Sequence, residues 1–94
     1  MASFEPAGAQ AAPRVLVVDD EPEIAALIVE LLGAAGYAAT TALSGAAALQ
    51  QLHEQTWDAI VCDLRMPGLD GPGLWREVGR VSPALASRML FVTG

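Results

Sequence analysis

Three aspartates and one threonine each follow a short apolar run. Asp19 and Asp20 follow Val15-Leu16-Val17-Val18, Asp63 follows Ala59-Ile60-Val61-Cys62, and Thr93 follows Met89-Leu90-Phe91-Val92. An apolar run without alternation fits a strand buried on both faces, as in a parallel sheet. In such a sheet all strands end on one edge, and ligands bind just outside it. The spacing therefore predicts three carboxylates and a hydroxyl on one rim. Like charges packed there repel one another. A hard divalent cation with oxygen ligands relieves that repulsion, and Mg²⁺ suits one or two direct carboxylates with waters and a phosphate oxygen. The competing reading makes Asp19, Asp20 and Glu21 a solvated turn capping the next helix, whose N-terminus favours negative charge. That reading leaves Asp63 without a role.

The elements that must position these side chains follow from pattern. After the run at 15–18, Pro22 suits a first helical turn. Ile24, Leu27, Ile28, Leu31 and Ala35 recur at helical spacing, and Gly36 is a C-terminal stop. Residues 38–42 form a weak strand near a sheet edge, and Ser44 caps a second helix reaching His53 or Glu54. Leu64 to Asp70 is a loop punctuated by Pro67 and Gly68. A third helix runs from about Gly71 to Val81 with Leu74, Trp75 and Val78 on its apolar side, and Ser82-Pro83 breaks it. Asp70 reads as the N-cap of that helix rather than as a metal ligand. Residues 89–92 are a fourth buried strand. Strands alternating with helices indicate βαβ units and a parallel sheet.

Composition narrows the function classes. The chain has 94 residues, of which 53% are hydrophobic, enough for one packed domain. Five arginines, no lysine and eleven acids give a net charge of −6, which argues against a nucleic-acid surface. One cysteine excludes an internal disulfide and a four-ligand zinc cluster. No apolar stretch approaches the roughly 18 residues of a membrane span. Residues 1–13 carry no secretory signal and read as a flexible leader, so a cytoplasmic domain is expected. His53 and the arginines at 76, 80 and 88 read as surface residues, Cys62 as a buried apolar filler, and the two tryptophans as packing groups.

The pieces Val17-Val18-Asp19-Asp20-Glu21, Asp63-Leu64-Arg65-Met66-Pro67-Gly68-Leu69-Asp70-Gly71 and Val92-Thr93-Gly94 resemble the receiver domain of bacterial two-component response regulators. The resemblance covers residues 14–94. It implies a flavodoxin-like doubly wound α/β fold with a parallel sheet in the order 2-1-3-4-5. It implies that Asp63 accepts a phosphoryl group from a sensor histidine kinase or phosphotransfer protein and forms an acyl phosphate. Asp20 would bind Mg²⁺ directly, Asp19 directly or through water, and the backbone carbonyl of Arg65 would be a further ligand beside Asp63. Thr93 would turn its hydroxyl onto the phosphoryl group as the switch that controls an output. Met66, Pro67 and Gly71 would shape the loop, the residue before a proline being pushed out of the helical region.

The chain departs from the family at its end. The family's fourth helix, fifth strand and fifth helix are missing, and so is the lysine that contacts the phosphoryl group. The reading is a piece of a longer protein or a natural short form, the first being favoured because strand four would become an exposed apolar edge. Homo-oligomers pairing through that strand are expected. The domain is read as a signalling acceptor rather than an enzyme. Two alternatives stand beside it: a Mg²⁺-dependent phosphatase of the haloacid-dehalogenase type with an aspartate nucleophile, and a vestigial structural or dimerisation module.

Overall fold

The computed structural model describes residues 12–92. Strands β1 (Arg14–Val18), β2 (Ala38–Ala42), β3 (Ala59–Asp63) and β4 (Met89–Val92) alternate with helices α1 (Pro22–Ala34), α2 (Gly45–Glu54), α3 (Gly71–Val81) and α4 (Pro83–Ala86). The strands form one sheet in the order β2-β1-β3-β4, and all three pairings are parallel. This is the expected doubly wound α/β order over its first four strands.

Register sorts the side chains. Val15 lies beside Ala39 and Ala59, and Val17 beside Thr41 and Val61, so these residues share one face. Helix α1 covers it with Ala25, Ile28, Val29 and Leu32. Leu16, Val18, Ile60 and Cys62 face the other way into a core closed by Ala48, Leu74, Val78 and Leu85. Central strand β1 is thus buried on both sides, which is why its sequence is apolar without alternation. Each side chain such as Leu16 or Ile60 contributes about 1.5–3 kcal/mol by burial.

Local signals set the helix ends. Helix α1 starts with Pro22 at its first position. It closes with Gly36 at φ +99°, where the Gly36 N–H donates to Gly33 O and the Tyr37 N–H to Leu32 O. That is the Schellman pattern, which needs a left-handed residue. The Ser44 hydroxyl accepts from the Ala47 N–H at 3.0 Å to start α2, and Asp70 Oδ1 accepts from the Gly73 N–H at 2.9 Å to start α3.

Several expectations are corrected. Ser82-Pro83 does more than break α3: Ser82 Oγ accepts from the Leu85 N–H and starts the short helix α4. The inner side of α1 is Ala25, Ile28, Val29 and Leu32, while Ile24, Leu27 and Leu31 are exposed. Trp75 is 49% exposed rather than on the buried side of α3. Strand β4 is not the buried strand its apolar run suggests but, in line with the expected apolar edge, exposes Leu90 (66%) and Phe91 while Met89 and Val92 stay partly buried. Arg88 is more than surface charge: its Nε donates to the Asp58 carbonyl at 2.7 Å. The leader read over residues 1–13 lies outside the described residues except for Ala12 and Pro13.

Candidate functional site

The strand ladders carry the backbone past the strand ends and so place the acids. The Asp19 N–H donates to Ala42 O at 3.1 Å, and the Leu64 N–H to Val92 O at 3.2 Å. Asp19 and Asp20 are therefore held at the end of β1, and Asp63 at the end of the neighbouring β3. Asp19 is 3% exposed, and its Oδ1 accepts the Glu21 N–H at 2.9 Å. Asp63 is half-buried, with Oδ1 accepting the Arg65 N–H at 3.2 Å, while Asp20 is exposed. Carboxylate oxygens of Asp19, Asp20 and Asp63 lie within 4.8 Å of one another. The solvated-cap reading fails for Asp19, which is buried, and the N-cap residue Glu21 makes no side-chain cap, although Asp20 and Glu21 are exposed.

These residues fit a small hard cation. An octahedron of Mg–O bonds near 2.1 Å spans about 4.2 Å between opposite ligands. Carboxylate oxygens within 4.8 Å therefore need only a slight closing, or one bridging water, to surround one ion. The donor set is all oxygen, as Mg²⁺ prefers.

The loop between β3 and α3 is tightly seated. Met66 is buried and Pro67 exposed. Gly68 has φ +75°, a conformation that favours glycine. Gly71 is needed for a different reason: a Cβ there would lie 2.8 Å from Asp63 O, 3.0 Å from the Leu64 Cα and 3.0 Å from the Phe91 ring. The loop thus folds directly against the backbone of Asp63, and the Gly71 N–H closes it on Leu64 O at 3.2 Å. Cys62, one residue before Asp63, is fully buried and its thiol donates to Asp63 O at 3.2 Å. Burial first, then the carboxylates of Asp63, Asp19 and Asp70, push that thiol from 9.0 up to about 12.

Other candidates lie elsewhere. His53 is exposed in the last turn of α2. Trp57 precedes β3 at the opposite end of the sheet, buried, with its indole N–H on Gln51 O. An apolar hollow of about 190 Å³ there, lined in part by Leu52, Trp57, Val78 and Leu85, contains none of the clustered carboxylates. Thr93 lies outside the described residues. Sequence reasoning passed over Gly45 and Gly73, whose importance is one of contact and leaves no local pattern.

A parallel β2-β1-β3-β4 sheet, with paired acids after β1 and a third acid after β3 on the same rim, defines a receiver-type signalling domain. Residues 15–94 match the response regulator receiver domain family, and the chain belongs to that family. The transcriptional regulatory protein BaeR of Escherichia coli is 41% identical over 70 residues, covering 74% of this chain and 29% of BaeR. PrrA of Mycobacterium leprae is 48% identical over 59 residues, covering 63% of this chain and 25% of PrrA. Among solved structures, the chemotaxis protein CheY4 of Vibrio cholerae superposes with a TM-score of 0.80 at 31% identity, covering 86% of this chain and 68% of that one. The response regulator TrrA of Thermotoga maritima, in complex with Mg²⁺ and BeF, gives 0.73 at 37% identity, covering 76% and 62%.

Proposed function

We propose that residues 14–94 accept a phosphoryl group on Asp63 in a Mg²⁺-dependent phosphorelay and switch an output in response. The observation that carries this reading is the meeting of the Asp19, Asp20 and Asp63 carboxylates within 4.8 Å at the strand ends. A carboxylate oxygen of Asp63 attacks the phosphorus of a phosphohistidine on a sensor kinase or phosphotransfer protein. The P–N bond breaks, its electron pair leaves on the imidazole nitrogen, and an acyl phosphate remains on Asp63. Asp20, Asp19 and the carbonyl of Arg65 would hold Mg²⁺, which would neutralise charge on the transferring phosphoryl oxygens. The Asp19 carboxylate is nearly out of solvent and engaged with Glu21, which weighs against its serving as the nucleophile of a phosphatase. Thr93 is assigned the switching hydroxyl that follows the phosphoryl group, a local charge event biasing a two-state loop.

The domain acts in the cytoplasm as an acceptor rather than a turnover enzyme, and contacts no nucleic acid itself. Among the described residues no helix is long and apolar enough to cross a membrane. Among the described residues strand β4 pairs with β3 alone, so as an isolated polypeptide the chain is expected to pair with a second copy along the other edge. Sedimentation at micromolar concentration checks this, and an ideal monomer overturns it.

The acceptor assignment is tested by incubation with acetyl phosphate and Mg²⁺ followed by intact-mass analysis. A slow adduct on Asp63 is expected, slow because the sequence holds no lysine to grip the phosphoryl oxygens. An adduct that persists in Asp63→Asn, or none after prolonged saturating exposure, overturns it.

A further inference from the structure

The loop that follows Asp63 rests on the start of a helix that contributes nothing to the acidic cluster. Gly45 is the first residue of α2 and is buried. A Cβ on Gly45 would lie 2.5 Å from Leu69 O, 2.7 Å from Leu69 Cβ and 3.0 Å from Leu69 Cγ. The other side of Leu69 meets α3, where a Cβ on Gly73 would lie 2.8 Å from Leu69 Cδ1. The two encounters differ in kind. At Gly73 the nearest atoms, Leu69 Cδ1 and then Asp70 Oδ1 at 3.2 Å, belong to side chains, which can shift without moving the backbone. At Gly45 the nearest atom is backbone, and the carbonyl would have to retreat by about 0.9 Å to reach ordinary contact at 3.4 Å.

Leu69 is followed by residues that are held in place, so a retreat there would be passed along the chain. The next residue, Asp70, is pinned as the N-cap of α3, and Gly71 is hydrogen-bonded to Leu64 and pressed against Asp63 O. The segment from Leu64 to Gly71 is thus a closed loop, with its base on the acceptor residue and its apex on Gly45. Moving the apex turns the base.

We infer that Gly45 is a positioning residue for the acidic site: the bare start of α2 is the stop against which the loop sets Asp63 and Arg65 relative to Asp19 and Asp20. This rests on the acceptor reading above. Displacements near an ångström, even from changes remote from the chemistry, lower rates by about a hundredfold.

The test measures Mg²⁺ affinity of the full chain by isothermal titration, with circular dichroism confirming the fold. Gly45→Ala is expected to weaken Mg²⁺ about tenfold and to slow acetyl-phosphate labelling at least as much. Gly33→Ala is the matched control, because nothing lies within 4 Å of a Cβ there, and it should leave both unchanged. Gly73→Ala should shift affinity less than threefold. If Gly45→Ala does not fold, Leu69→Ala carries the test, since it removes the side chain seated between the two helices without a clash and should also weaken Mg²⁺ severalfold. Wild-type affinity in a folded Gly45→Ala, or in Leu69→Ala where that variant carries the test, overturns the inference. A wild-type chain that binds no Mg²⁺ overturns the acceptor reading itself and this inference with it.

Discussion

Strand β3 begins one residue after Asp58 and ends on Asp63, so an aspartate precedes the strand and another closes it. Asp58 is satisfied by the protein. Its Oδ2 accepts the Arg14 N–H at 2.7 Å, its own N–H donates to Arg14 O at 2.8 Å, and its carbonyl takes Arg88 Nε at 2.7 Å. Arg14 in turn stacks over the Trp57 ring at 5.4 Å. Among the described residues Asp63 takes one backbone amide, from Arg65, and otherwise shares its rim with two more carboxylates. The first arrangement ties the start of β3 to β1 and β4. The second leaves charge uncompensated where strand ends give open access. Residue type does not distinguish a structural acid from a chemical one; the partners do.

The comparison breaks most sharply on phosphorylation. Asp63→Asn is expected to abolish the acetyl-phosphate adduct, whereas Asp58→Asn should leave its rate within about twofold, since the group lies at the far end of the strand. Intact-mass time courses of the two variants decide it. The next effect is on cation binding. Mg²⁺ at ten times its dissociation constant should stabilise the wild type by about 1.4 kcal/mol, or ~6–11 °C in Tm for a domain of this size. Asp20→Asn should lose that shift and Asp58→Asn should keep it, as thermal melts with and without Mg²⁺ will show.

Without divalent ions the two aspartates should move stability in opposite directions. Asp63→Asn removes one of three crowded charges and should stabilise by on the order of 1 kcal/mol. Asp58→Ala removes a backbone-anchoring acceptor and should destabilise by about 0.5–1.5 kcal/mol. Urea titrations in chelator read both signs. A separate effect, one of pH, concerns Cys62, between the two acids. Its thiol is pushed from 9.0 up to about 12 in the fold, so the folded state holds the proton more tightly than the unfolded one. Its contribution is therefore whole below pH 9 and declines as pH climbs from 9 toward 12. The stability difference between wild type and Cys62→Ala should narrow over that window, and urea midpoints measured across it test the sign.

Much of this was legible in the residues. The unbroken apolar runs of β1 and β3, each closed by aspartate, announce a two-sided parallel sheet and its reactive edge together. Ser44, Asp70 and Gly36 mark helix ends because capping is local chemistry. What escaped was non-local. Helix α1 is apolar nearly all round, so its spacing could not say which side Ala25 and Leu32 would bury. Trp75 sits at a periodic position but lies outward. Arg88 meets Asp58 across thirty positions of sequence, a pairing no window reveals. Gly45 looks like any glycine after a serine cap until Leu69 is seen resting on it.

The buried thiol of Cys62 also makes the chain its own clock. A group with no exposed surface and its proton held this firmly is inert toward alkylating reagents while β3 stays paired. It becomes labelled only when the sheet parts, and it does so one residue from the acceptor. With reagent in excess and reclosing fast, the labelling rate reports the free energy of that opening. A cation gripped by Asp19, Asp20 and Asp63 would bridge the ends of β1 and β3, so its arrival would be heard as a slowing of the clock, without a chromophore or an added probe.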